Sequence, residues 1–313
     1  MSRLCIILAA TLAALSICLG NASAILIDAL DPARQWKVER VEFVGKEKFS
    51  QDQLSDLMAT KSRPWYLVWG EKPAFDPTAF AGDLEKLQRF YETEGYYGTS
   101  VTYDLTVDND RELVTVRITV NEGKPVLISE IDVGVAAGEP GQKPPPLPET
   151  LPVKRGEIFR EADYQQAEQA LRRALLDNGY AHVKTERRAE VDLDEQQARI
   201  RYTLYPGPIA VFGQTTIKGT QTVEPELISR ELTYRPGEIY SLSKINETRE
   251  KLLALDLFGT VRVAPQEVPG TPVAVPMEVE VAEKSHREIK LSVGYGTEDQ
   301  FRTQLEWRHL NWL

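Results

Sequence analysis

The chain has 313 residues, room for two or three domains, with 42% hydrophobic and 27% charged residues as in ordinary globular units. A formal charge of -10 excludes a phosphate backbone as the natural ligand, since nucleic acid calls for a basic surface. Both cysteines, Cys5 and Cys18, lie at the extreme N-terminus, so no disulfide can hold the rest together.

Arg3 precedes an apolar run from Leu4 to Leu19, and Ala22-Ser23-Ala24 has the small-x-small form cut by signal peptidase. Residues 1–24 therefore read as a signal peptide, the apolar core being short for a bilayer span of about 20 residues. An uncleaved anchor helix is the other reading. Ile17 is too bulky for the position before a lipoprotein cysteine at Cys18. An exported chain that keeps no cysteine fits the bacterial periplasm.

From Trp36 the apolar residues change period in a fixed order. Val38, Val41 and Phe43 predict a strand ending at Gly45, and Phe49-Ser50 a staple and cap for a short helix with Leu54, Leu57 and Met58. A loop with Trp65, Tyr66 and Trp69 follows. Asp76-Pro77 is a cap with proline at the first helical position, starting a helix with Phe80, Leu84, Leu87, Phe90 and Tyr91 on one face. Gly95 ends it. Val101, Tyr103, Leu105 and Val107 then alternate with polar residues, Asp108-Asn109-Asp110 turns the chain, and Val114 to Val120 alternate again.

The order recurs. Gly156 to Pro208 holds a helix with Tyr164, Ala167, Leu171 and Leu175, started at Asp163, ended at Asn178-Gly179, and followed by two alternating runs. A third copy runs from Ile209: Pro225 to Leu232 form its short helix, Gly237-Glu238-Ile239-Tyr240 echoes Gly156 to Phe159, and Ser243 caps its long helix. The glycines read as helix ends, Gly95, Gly179 and Gly259, lie 84 and 80 positions apart. Each copy reads as β-α-α-β-β, helices over one face of a small sheet, and at about 80 residues can bury its own core. The middle copy's front half is the least regular, with Gly138 to Pro148 rich in proline and read as a loop. After the third copy, Ile289, Leu291, Val293 and Tyr295, then Phe301, Thr303, Leu305 and Trp307, alternate with polar or small residues and no helix follows. That pattern matches transmembrane barrel strands and fits an ordinary hairpin equally.

Chemistry is not legible. His182, His286 and His309 lack metal-ligand spacing, no nucleophile elbow occurs, and Asp108/Asp110 and Asp192/Asp194 sit at hairpin turns, where turn chemistry accounts for them. No enzyme activity, cofactor or metal is expected.

Three such units after a signal peptide, with Phe90-Tyr91-x-x-x-Gly95-Tyr96-Tyr97, Leu175-x-x-x-Gly179-Tyr180, Phe212-Gly213-x-x-x-Ile217-x-Gly219 and Val293-Gly294-Tyr295-Gly296-Thr297-Glu298, resemble the POTRA-plus-barrel outer-membrane assembly superfamily. The resemblance implies an α+β fold of three tandem POTRA domains (36–124, 125–207 and 208–284), then the first strands of a truncated barrel over 287–313. Three units point to TamA-like members; a BamA-like assembly factor and a periplasmic POTRA scaffold are the alternatives. The implied function is a periplasmic arm of an outer-membrane protein that binds unfolded outer-membrane or autotransporter clients by strand addition and passes them to the barrel. A TamB-like inner-membrane partner is expected with it. The implied client-binding edges are Val101, Tyr103 and Leu105; Ala181, Val183 and Thr185; and Val261 and Val263. Trp65, Tyr66 and Trp69 form a candidate partner loop. Ile289, Leu291, Val293, Phe301, Leu305 and Trp307 would face outer-membrane lipid.

Overall fold

The computed structural model describes residues 27, 30–63, 71–136, 145–284, 287–296 and 300–309. The signal segment 1–24, the Trp65, Tyr66 and Trp69 loop and His286 lie outside them. The chain divides into two compact units, one up to Pro125 and one from Val126 on.

In the first, β1 (Lys37–Val44) and α1 (Gln51–Leu57) precede α2 (Pro77–Thr93), β2 (Ser100–Asp108) and β3 (Leu113–Asn121). The sheet order is β1-β3-β2, with β1 parallel and β2 antiparallel to the central β3. A parallel pair needs a crossover, and here both helices lie within it. Ser50 and Gln53 form a capping box on α1, and the Asp76 carboxylate accepts from Thr78 and Ala79 N–H at 2.8 and 3.2 Å. Leu54, Phe80, Leu87 and Tyr91 from the helices meet Val38, Leu105, Val116 and Ile118 from the sheet, all fully buried. Phe49 packs edge-on against Phe90, Tyr91 and Tyr96, joining the entry to α1 with α2 and the segment after it.

The second compact unit repeats the plan twice and adds a hairpin. β4 (Leu127–Val135), α3 (Glu161–Asp177), β5 (Lys184–Asp192) and β6 (Gln197–Tyr205) form a sheet of order β4-β6-β5. β7 (Val211–Lys218), α4 (Pro225–Glu231), α5 (Leu242–Ala254), β8 (Phe258–Pro265) and β9 (Ala274–Glu283) form one of order β7-β9-β8. β10 (Arg287–Gly296) pairs antiparallel with β11 (Gln300–His309), bringing Ile289 opposite Trp307 and Leu291 opposite Leu305. The first and third units carry both helices. In the middle one, residues 145–160 contain no helix, and 137–144 lie outside the described residues.

The absence of a short helix among the described residues of the middle unit has a residue-level counterpart that the sequence pattern did not expose. In the first unit the buried Glu122 carboxylate accepts from Glu47 N–H, Lys48 N–H and the Tyr91 hydroxyl at 2.9–3.1 Å, tying down the loop that enters α1. In the third, Glu283 accepts from Gln221, Thr222 and Val223 N–H at 2.7–3.1 Å before α4. The matching position after β6 is Pro206, which offers no carboxylate. A second tie repeats the contrast. Asp83, fully buried on α2, accepts from Ala59 and Thr60 N–H at 2.8 Å just beyond α1, and Thr248 on α5 accepts from Thr233 N–H at 3.1 Å beyond α4. The α3 counterpart is buried Ala167.

Several expectations need correction. Gly259 does not end a helix: it lies within β8, and Asp256, at φ 58°, takes the left-handed turn after α5. A short polar side chain tolerates that conformation. Asp163 does not cap α3, which starts after Arg160 and has no side-chain cap; Asp163 sits in the first turn instead. The α5 cap is Ser241, not Ser243. Ala181 and Val183 precede β5 rather than belonging to it, because the chain turns after Gly179 and Val183 N–H bonds back to Tyr180 at 3.3 Å. Thr185, Val101, Tyr103, Leu105, Val261 and Val263 do lie in second strands.

Candidate functional site at the sheet edges

Each three-stranded sheet has two outer strands, and their outer sides differ. Beside the first strand runs the segment that enters the long helix. Val38 N–H bonds to Pro73 C=O and Phe75 N–H to Trp36 C=O; Ile128 to Glu157 and Phe159 to Val126 do the same, as do Phe212 to Glu238 and Tyr240 to Ala210. Thus this segment covers part of the first strand's edge, and in the second and third units it is the recurring Gly-Glu-Ile-aromatic motif. The second strand (β2, β5 or β8) has a partner on one side only among the described residues. Its outward N–H and C=O groups are the kind an extended segment can pair with.

β2 and β5 are equally regular, each pairing over nine residues without a register shift. β2 pairs with β3 from Ser100↔Asn121 to Asp108↔Leu113. Leu105 points into the core, and Tyr103, half-buried, meets Phe80 edge-on at 5.3 Å. Ser100, Thr102, Asp104, Thr106 and Asp108 are exposed on the other face. Between β2 and α2 lies a shallow groove lined by Leu84, Glu85, Gln88, Arg89, Glu92 and Val101.

β5 occupies the same place 84 residues on, but its surface is charged: Lys184, Glu186, Arg187, Arg188 and Glu190 are exposed. Arg187 pairs with Glu168 of α3 at 3.1 Å and lies 5.2 Å from the Tyr164 ring centre, and the Thr185 hydroxyl donates to the same carboxylate at 2.6 Å. β8 is shorter, has a register shift between Phe258 and Thr260, and ends at Pro265, which has no N–H to offer. Val261 is buried and Val263 half-buried.

The acidic hairpin turns are accounted for locally. Asp108 accepts from Asp110 and Arg111 N–H, and Asp192 from Asp194 and Glu195 N–H, the same turn made twice. His182 Nε2 lies 2.9 Å from the Pro272 carbonyl oxygen. Among the described residues no three His, Cys, Asp or Glu side chains are grouped to hold a metal, and no helix is long and apolar enough to cross a membrane, which says nothing of strands. On the hairpin, Leu291, Val293, Phe301 and Leu305 are each at least 60% exposed. Ile289 and Trp307 share that face by register.

Comparison with known proteins meets this architecture at three levels. Among curated proteins, the chain is 26% identical over 295 residues to a Treponema pallidum (strain Nichols) protein described as an outer membrane protein assembly factor, covering 91% of this chain and 34% of that protein. It is 22% identical over 268 residues to the outer membrane protein assembly factor BamA of Neisseria meningitidis serogroup B, covering 85% and 33%. The chain therefore spans about a third of the length of these curated relatives. Among solved structures, POTRA domains 3–5 of BamA from Haemophilus influenzae align with a TM-score of 0.50 at 19% identity, over 80% of this chain and 97% of that one, a likeness of fold. The POTRA family model, described as surface antigen variable number repeat, matches residues 36–123, 147–207 and 210–284, in step with the three sheets. The chain belongs to the POTRA family.

Proposed function

We propose that the chain is the periplasmic arm of an outer-membrane protein assembly or translocation factor. It receives unfolded outer-membrane or autotransporter clients as added strands and passes them to a membrane barrel. The observation that carries this reading is the repeated sheet whose second strand is paired on one side only among the described residues, three times along one chain. Strand addition supplies affinity through the backbone, so it suits clients that share alternation rather than sequence. The exposed side chains of Leu291, Val293, Phe301 and Leu305 support contact with outer-membrane lipid, a role that Ile289 and Trp307, paired in the same ladder, would share. Signal-type residues at 1–24 support export, leaving the arm in the periplasm.

Two versions of the role share this geometry. The names of the curated relatives favour a BamA-like factor; the number of units favours a TamA-like one, with a TamB-like inner-membrane partner and Trp65, Tyr66 and Trp69 as the candidate contact. Replacing Thr102, Glu186 and Arg262, outward-facing residues of the three edges, one at a time by a photo-crosslinking amino acid tests the shared reading. A urea-unfolded outer-membrane barrel protein diluted onto the chain should crosslink at one or more of them. No crosslink at any edge would sink it.

A further inference from the structure

The three edges are built on one plan, yet their grooves differ at matching positions. α2 and α3 are both 17 residues long and start 84 positions apart, as do β2 and β5. On that offset Leu84, Val101 and Tyr103 correspond to Glu168, Thr185 and Arg187. In the first unit Leu84 and Val101 line an open groove between helix and edge strand, while Tyr103 packs on Phe80 and its hydroxyl accepts from Ile27 N–H at 3.4 Å. In the middle unit, the same three positions join across the gap: Glu168 holds Arg187 at 3.1 Å and Thr185 at 2.6 Å. An apolar side chain entering there would have to displace a partly exposed ion pair and the Thr185 hydroxyl bonded to it, a cost the first unit's groove does not impose.

We infer, building on the strand-addition reading above, that the β2–α2 groove of the first unit is the docking edge and that the middle edge is closed by its own Glu168–Arg187 bridge. The occupant is an extended segment of alternating pattern. Its apolar side chains enter the groove over Leu84 and Val101, and its outer face carries hydroxyl or basic residues beside Asp104 and Asp108, which are exposed on the open strand. Charge sets this preference: like charges placed opposite each other across strands destabilise pairing, and opposite ones favour it. β8 is the weaker alternative, since its bulge and Pro265 interrupt the ladder that a long segment would follow.

The probe is a fluorescent peptide matching β2's nine residues, Thr-Val-Lys-Leu-Thr-Val-Lys-Leu-Thr, titrated onto the full chain with the crosslinker at Thr102, Glu186 or Arg262. Crosslinking at Thr102 alone is expected. Leu84→Glu with Val101→Arg should weaken binding by about tenfold or more. Glu168→Leu with Arg187→Val should add a crosslink at Glu186, a gain that unfolding cannot produce. Unchanged affinity in the first variant, or wild-type crosslinking at Glu186, would overturn the assignment. Crosslinks at Glu186 or Arg262 without Thr102 defeat this inference and leave strand addition standing; no binding at any edge defeats both.

Discussion

At the scale of single residues, the buried carboxylates Asp83 and Glu122 tie down backbone groups far away in sequence. Asp83 is fully buried, and burial alone would raise its pKa; the Ala59 and Thr60 N–H groups, the Thr60 hydroxyl and Lys86 outweigh it and hold the carboxyl below the ordinary value of 3.8. A depressed native pKa means the contribution is complete above the unfolded pKa and is lost as pH falls through the native one. Asp83→Asn should therefore remove part of the acid sensitivity of the first unit below about pH 4. It should also cost about 1–3 kcal/mol at neutral pH, read by urea unfolding at several pH values. An unchanged acid limb would refute the assignment. Glu122 satisfies two backbone donors and the Tyr91 hydroxyl, so Glu122→Ala strands three polar groups and should cost about 2–4 kcal/mol. Hydrogen exchange should show the loss concentrated in residues 46–57. The exposed pairs, such as Arg40–Glu42, are worth far less.

At the scale of elements, the short helices depend on how the chain leaves the first strand. Gly219 follows β7 at φ +86°, and a Cβ there would sit 2.0 Å from the Val281 carbonyl oxygen; Gly45 follows β1 at φ +80°, with a Cβ 2.5 Å from that of Val120. The middle unit has Val135 in this place, still paired with Leu204 in the strand, and leads into no helix among the described residues. Gly219→Ala should thus destabilise the third unit by about 2 kcal/mol or more and expose α4 to exchange. If α4 kept its protection, the backbone reading would be wrong. The edge strands obey a different rule. Their inward side chains, Leu105 above all, belong to the core, so specificity rests on the groove residues and on the outward face.

At the scale of the whole molecule, the second and third sheets are joined by more than a linker. Asp177, at the end of α3, accepts from Ser243 N–H at 2.6 Å and from the Ser241 hydroxyl at 3.3 Å, so it helps cap a helix of the next unit. Gly179 C=O accepts from Ala210 N–H at 2.8 Å, and Leu176 and Ala181 pack against the third unit's core. A Cβ on Gly179 would lie 2.9 Å from Ile239 Cγ2, and its φ of +94° is in the left-handed region. Gly179→Val with Asp177→Ala should uncouple the two units. Residual dipolar couplings measured on them should then fit separate alignment tensors, where the wild type fits one. A single tensor in the variant would show that other contacts hold the joint. Such a joint keeps β5 and β8 at a fixed relation, whichever of them a client meets.

The sequence by itself determined the repeat and the strand and helix order, because these follow from local period: alternation at two, stripes at 3.6, and Asp76-Pro77 or Ser50 at a boundary. It also placed the second strands as edges, through the resemblance its motifs carry. Ala181 and Val183 were misplaced since a turn after Gly179 looks, residue by residue, like the start of an alternating strand. Gly259 misled for a like reason: a glycine is a common helix end, but Asp256 had already taken the turn. Only the tertiary structure decided which side chains meet beside each edge strand. Glu168 and Arg187 read as surface charges until helix and strand set them 3.1 Å apart. Glu122, Glu283 and Asp177 likewise act on backbone groups dozens of residues away, and no local pattern encodes a partner at that distance.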